Sequence, residues 1–187
     1  MANRCAFQIA LLLSFSTMAL CISYNVLRFQ QSSSNLICQK LLKKLNGSAE
    51  YCLQDRMDFK VPEEIKQPQQ FQKEEAALLI YEMLQQIFGI FQRKFSSTGW
   101  NETIVENLCV ELYQQMDRLE TILEEKLEEE SFTWGDVMTI LHLKNYYLRI
   151  TQYLKAKEYS SCAWTVVRVE ILRNFSFINR LTEYLQN

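Results

Sequence analysis

Reactive side chains are few in this chain of 187 residues, so the chemistry open to it can be taken group by group. It has one histidine, His142, which excludes any site needing two from one chain, H-E-x-x-H zinc proteases included. A hydrolase would need a nucleophile, a base and an orienting group, and no motif of that kind surrounds His142. The bland alternative is a surface or half-buried polar residue. Gly47, Gly89, Gly99 and Gly135 are isolated, whereas a loop that cradles phosphates needs two or three glycines close together. No C-x-x-C spacing occurs, which argues against a redox or zinc centre. The acidic run Glu128 to Glu130 follows a helical pattern, where negative charge opposes the macrodipole, and reads as a solvated helix end rather than a metal site. No catalysis, metal or cofactor is expected.

The cysteines carry more information. Arg4 is the only charge before Arg28, Ala6 to Leu13 is apolar except for Gln8, and Ala19 and Cys21 occupy the −3 and −1 positions of a cut after Cys21. That is the pattern of a secretory signal peptide, and its apolar run is shorter than the roughly 20 residues of a membrane span. Residues 1–21 are therefore expected to be removed, leaving 22–187 as one domain. Export places Cys38, Cys52, Cys109 and Cys162 in an oxidising compartment. Three full pairings are possible among four cysteines, and spacing alone does not choose between them.

The mature chain would hold 19 basic and 22 acidic groups, a net charge of −3. Nucleic-acid binding needs a clustered basic face, and membrane disruption a basic amphipathic one; neither is present. Three N-x-S/T sequons are candidate glycan acceptors in an exported chain. Asn46 lies in an Asn-Gly turn and Asn101 opens a helical pattern, so both should be exposed. Asn174 flanks a buried stripe and is the third candidate.

The elements that must position these groups are helices. Four glycines and two prolines are far too few for an all-β fold, which needs a turn every 8–12 residues or so. Apolar residues recur at i, i+3, i+4 and i+7 over 74–95, 101–127, 136–155 and 160–185, and less clearly over 24–44, where a polar patch from Gln30 to Asn35 interrupts them. Residues 46–73 hold both prolines and show no helical period. So long a connection is often functional, and it would let the first two helices run parallel, as in bundles with long crossovers. The fold class is all-α.

Along the last helix, Trp164, Val167, Ile171, Phe175, Ile178 and Leu185 form one narrow stripe. With Ile171 pointing into the core, Val169, Leu172, Arg173 and Ser176 point outward or sideways, and Arg168 lies at the stripe's edge. Such a face is either solvated or a protein-binding patch, where Arg and large apolar groups act as anchors. Cys109 borders the stripe of its own helix, as a small buried thiol would.

Longer words then identify the chain as similar to a family. Cys52 to Phe59 (CLQDRMDF), Phe71 to Ala76 (FQKEEA), Tyr81 to Phe88 (YEMLQQIF), Ser96 to Leu108 (SSTGWNETIVENL) and Cys162 to Phe175 (CAWTVVRVEILRNF) resemble a mammalian type I interferon. The resemblance covers the whole chain. It implies a secreted five-helix bundle and an antiviral, antiproliferative, immunomodulatory cytokine that bridges chains 1 and 2 of the interferon alpha/beta receptor as a monomer. It implies a Cys52–Cys162 bridge, worth about 4–5 kcal/mol in the chain-entropy model, and an unpaired Cys38. Cys109 departs from the family's pattern, and because both lie within predicted helices Cys38 and Cys109 are expected to be free thiols. Leu53, Arg56, Arg168, Val169, Leu172, Arg173 and Ser176 match contacts to the tightly bound receptor chain. Phe88, Ile104, Tyr113 and Lys144 match contacts to the weakly bound one, while Cys109 replaces another usual contact.

Overall fold

The computed structural model describes residues 24–127 and 134–186, so the expected signal segment 1–21 and the acidic run at 128–130 lie outside the described residues. Among the described residues there are six α-helices: α1 over 24–44, α2 Glu63–Lys66, α3 Lys73–Phe91, α4 Glu102–Leu127, α5 Trp134–Ala156 and α6 Ser161–Glu183. Among the described residues there is no strand.

Helix boundaries follow from local chemistry. A capping box opens α3, in which the Gln72 backbone N–H donates to Glu75 Oε2 at 3.0 Å. The helix stops at Phe91, short of the expected 95, and the chain turns through Gly99 in a left-handed conformation (φ 67°). Asn101 caps α4 as its sequence position suggests, its Oδ1 accepting from Thr103 N at 2.9 Å. Ser160 caps α6 by accepting from Ala163 N.

The crossover between α1 and α3 is not irregular throughout. Ala49–Asp55 forms a 3-10 segment, Glu63–Lys66 the short α2, and Pro68–Gln70 another 3-10 turn. Elements this short carry no detectable period. Gly47 starts the crossover with φ 120°, and a Cβ there would lie 2.4 Å from Thr165 Oγ1, so a side chain is excluded.

Helix directions can be read from contacts at the helix ends. Arg28 on α1 meets Glu183 at the end of α6, whereas Arg168 near the start of α6 reaches Leu42 and Leu45 at the end of α1. Those two helices are antiparallel. Phe91 at the end of α3 packs on Trp164 at the start of α6, and residues 184–186 pack back onto α3. Helices α1 and α3 therefore run in the same direction, the arrangement that the long crossover permits.

The core lies between α1, α3, α4, α5 and α6, and its largest buried side chains include Trp164, Tyr146, Tyr147, Phe59 and Phe91. Trp100 and Trp164 pack edge-on at 5.5 Å, and each indole N–H is used: Trp100 Nε1 donates to Asn46 O at 2.7 Å and Trp164 Nε1 to Lys94 O at 2.8 Å.

The polar patch of α1 turns inward rather than breaking the helix. Gln31 and Asn35 are fully buried. Gln31 Nε2 donates to Gln115 Oε1 on α4, Asn35 Nδ2 to Thr182 Oγ1 on α6 at 3.4 Å, and Gln115 Nε2 to Cys38 Sγ at 3.2 Å. Buried amides are tolerated when most of their polar atoms are paired in this way, Gln31 Oε1 being the atom left without a partner. No helix among the described residues is long and apolar enough to cross a membrane.

Candidate functional site

Cys52 and Cys162 are bonded, closing a sequence separation of 110 with their Cα atoms 5.2 Å apart. The bridge docks the 3-10 segment Ala49–Asp55 against the start of α6. Between them lies a groove of about 520 Å³, lined on one side by Leu53, Arg56 and Met57 and on the other by Val166, Val169 and Arg173. Leu53 is 58% exposed and Val169 44%, so large apolar surface is offered beside two guanidinium groups. Four of the seven residues matched to the tightly bound chain thus share one hollow. Leu172, half-buried, and Ser176, exposed, sit further round α6 outside its lining.

Arg168 does something else. Its side chain turns inward and only 9% of the residue is exposed. Nη1 donates to Leu45 O at 2.8 Å and Leu42 O at 3.3 Å, and Nη2 to Gly47 O at 2.5 Å. The last carbonyls of a helix have no intrahelical partner and carry the negative end of its dipole, which a guanidinium satisfies. The resemblance matches Arg168 to a receptor contact; in the structure its side chain turns inward and holds carbonyls at and just past the end of α1. Burial lowers its pKa without removing the charge.

Beneath the groove, Glu170 is buried, accepts from Tyr146 OH at 2.6 Å and lies 3.6 Å from Arg173 Nη1. Asn174 belongs to the same network. It is fully buried, its Nδ2 donating to Tyr146 OH at 2.6 Å and to Glu170 O at 2.8 Å, while Tyr147 OH donates to its Oδ1. The third sequon is therefore corrected, because the amide nitrogen that a glycan would take is spent inside the core. Burial, followed by the Glu170 charge, raises the Tyr146 pKa, so its hydroxyl stays a donor. Asn46 and Asn101 are exposed.

A second set of residues spreads over three helices. Phe88 and Ile104 are half-buried and pack against the core. Tyr113 is 60% exposed, and Lys144 Nζ lies 3.6 Å from the buried Glu82 Oε2. The structure adds exposed neighbours that sequence reasoning missed: Val110 on α4, and Val137, Leu141 and Leu148 on α5. The last three recur at helical spacing around Lys144. That signal was present, but α5 has apolar residues on two faces, and the second is hidden behind the core stripe.

Cys38 and Cys109 are free. Burial, reinforced by Glu111, pushes the Cys38 thiol up to about 12 against the hydrogen bond from Gln115. The half-buried Cys109 is raised by burial and then by Glu106. His142 has a partner that spacing did not suggest, Glu64 in the crossover, with Nδ1 2.8 Å from Oε1.

Comparison with known proteins gives one family. Residues 27–185 match the family model "Interferon alpha/beta domain". The chain is 70% identical to interferon beta of Homo sapiens and 69% identical to interferon beta of Macaca fascicularis, covering all of each chain. Among solved structures, zebrafish interferon 2 matches with a TM-score of 0.67 at 22% identity, covering 80% of this chain and 97% of that one. At that identity it shows the helical cytokine fold.

Proposed function

The chain belongs to the interferon alpha/beta family and is a cytokine, not an enzyme, and from that premise we propose that it is secreted and bridges chains 1 and 2 of the interferon alpha/beta receptor. Residues 1–21 direct export and residues 22–187 act as a monomer. The observation that carries the reading is the groove closed by the Cys52–Cys162 bond, where Leu53, Arg56, Val169 and Arg173 converge from segments over a hundred residues apart.

In this reading the groove and the neighbouring Leu172 and Ser176 bind the high-affinity chain. Apolar anchors flanked by arginines at a desolvated centre are the usual make-up of a binding hot spot. The outer surface of α3, α4 and α5, with Phe88, Ile104, Tyr113 and Lys144, binds the low-affinity chain. A rigid bundle holding both chains keeps their cytoplasmic tails close, so that the associated kinases phosphorylate one another and JAK–STAT signalling follows. The outcome is an antiviral, antiproliferative and immunomodulatory response. Glycans on Asn46 and Asn101 complete the secreted form.

The test is a cell line with an interferon-stimulated reporter, treated with the secreted protein with and without an antibody that blocks the receptor. Induction that the antibody abolishes is expected. Secreted, folded protein that leaves the reporter silent would refute the reading.

A further inference from the structure

One wall of the groove is a stretch of chain outside any helix, with a local turn in which Asp58 Oδ1 accepts from Lys60 N at 3.0 Å. Residues 56–62 lie in no helix, so their carbonyls lack intrahelical partners. Lys60 adopts φ 55°, a left-handed conformation that costs a residue with a side chain about 1–2 kcal/mol. Backbone strain of this kind persists only where the surroundings over-determine it. The same stretch presents Arg56, Met57, Asp58 and Phe59 to the groove.

Successive turns of α5 supply the determination from behind. Arg149 Nε donates to Phe59 O at 3.0 Å and its Nη2 to Lys60 O at 2.9 Å, so one planar guanidinium holds two consecutive carbonyls. Tyr153 OH donates to Asp55 O at 2.7 Å, and its ring meets that of Phe59 edge-on at 5.3 Å. One turn further, Lys157 Nζ is 2.9 Å from Asp55 Oδ1. Residues 149, 153 and 157 recur every fourth position and so share one side of the helical track. None of the three lines the groove.

We infer that Arg149 and Tyr153 are positioning residues for the high-affinity face: they fix the backbone from Asp55 to Lys60, with the buried Phe59 as its anchor, so that Arg56 and Met57 meet the receptor pre-arranged. This rests on the receptor reading of the groove. Pre-organisation raises affinity by removing the cost of ordering a loop on binding. Lysine cannot replace Arg149, because a single ammonium has no fork to span two carbonyls. The exposed residues Val137, Leu141, Lys144 and Leu148 lie about 80–140° round α5 from Arg149, at about 100° per residue, which puts them on a different side of the helix and provides an internal control.

The experiment measures binding of the mature protein to immobilised ectodomains of each receptor chain, for wild type, Arg149→Ala, Arg149→Lys, Tyr153→Phe and Arg56→Ala. Hydrogen exchange and thermal melting are recorded on the same samples. Both Arg149 variants should weaken high-affinity binding by about fivefold or more, roughly 1 kcal/mol, with the low-affinity chain bound within about twofold of wild type. Exchange should rise in peptides covering 55–61 while helix-core peptides stay unchanged. Tyr153→Phe keeps the ring contact and removes one hydrogen bond, so it folds even if the Arg149 variants do not, and should lose about two- to threefold. Unchanged high-affinity binding in the Arg149 variants, with Arg56→Ala impaired, would overturn the inference and leave the receptor reading standing. Equal losses at both chains alongside a lowered melting temperature would reduce Arg149 to a structural role and overturn it as well. An unimpaired Arg56→Ala would remove the reading on which the inference rests.

Discussion

Replacing Arg168 by Ala separates the receptor contact that the resemblance implies from the capping role that the structure gives. The structure gives the guanidinium three bonds to carbonyls at and just past the end of α1, those of Gly47, Leu45 and Leu42, at 2.5, 2.8 and 3.3 Å. A hydrogen bond to a charged group contributes about 1.5–3 kcal/mol, so the two short ones together are worth roughly 3–6 kcal/mol and the long one adds little. Against this, truncation returns the roughly 2 kcal/mol of rotamer freedom that arginine loses on being ordered. The expected net destabilisation is about 1–4 kcal/mol, with a midpoint near 2.5. For a domain of this size each kcal/mol shifts the melting temperature by about 2–4 °C, so at that midpoint Arg168→Ala should melt about 5–10 °C lower. Arg168→Lys should recover less than half of that, since one ammonium cannot serve three carbonyls. Calorimetry on the mature protein measures the shift, and surface binding to the high-affinity ectodomain, well below the melting transition, measures the other role. A cap predicts a large loss of stability with affinity reduced less than about threefold, below the usual 1 kcal/mol hot-spot threshold. A wild-type melting temperature combined with a large loss of affinity would refute the capping assignment.

Other outcomes follow from the same geometry. Cys52→Ser opens a loop spanning 110 positions and should cost about 4–5 kcal/mol in the chain-entropy model; denaturant unfolding measures it, and a wild-type midpoint would be the contrary result. Iodoacetamide at pH 8 should label Cys109 slowly and Cys38 only after unfolding, because burial pushes the Cys38 thiol up to about 12. The folded state holds that proton more tightly than the unfolded one, so Cys38 makes stability fall as pH climbs from about 9 towards 12, and Cys38→Ala should flatten that part of the profile. Glycopeptide mapping of the secreted protein should find Asn174 unmodified; a folded, active fraction carrying sugar there would show that the buried amide network is not required.

The helices were legible wherever burial follows a simple period. Residues 74–95 show Leu79, Ile80, Met83, Leu84 and Ile87 on one face, and those five residues are all buried. What the sequence concealed was mostly set by partners far along the chain. Gln31 and Asn35 look like surface residues until Gln115 and Thr182 are placed against them. Arg168 at the edge of a stripe can turn either way, and the carbonyls that draw it inward lie more than 120 residues earlier. Asn174 sat about 60° from Ile171, close enough for Tyr146 and Tyr147 to pull it inside. Half of the groove was legible as an outward face of α6. Its other wall, built from short 3-10 and irregular segments, has no periodicity to reveal it.

The amide layer beneath α1 bears on how many ways these helices could pack. Leucines can exchange neighbours and remain nearly as well buried, so a purely hydrocarbon interface tolerates a helix displaced along its axis by one turn. Gln31 and Asn35 do not have that freedom, because a one-turn slip would carry their polar atoms about 5.4 Å from Gln115 and Thr182. Each stranded polar group would then cost about 1–3 kcal/mol. The layer acts as an indexing pin: it contributes little to the depth of the native basin and a great deal to the height of its neighbours.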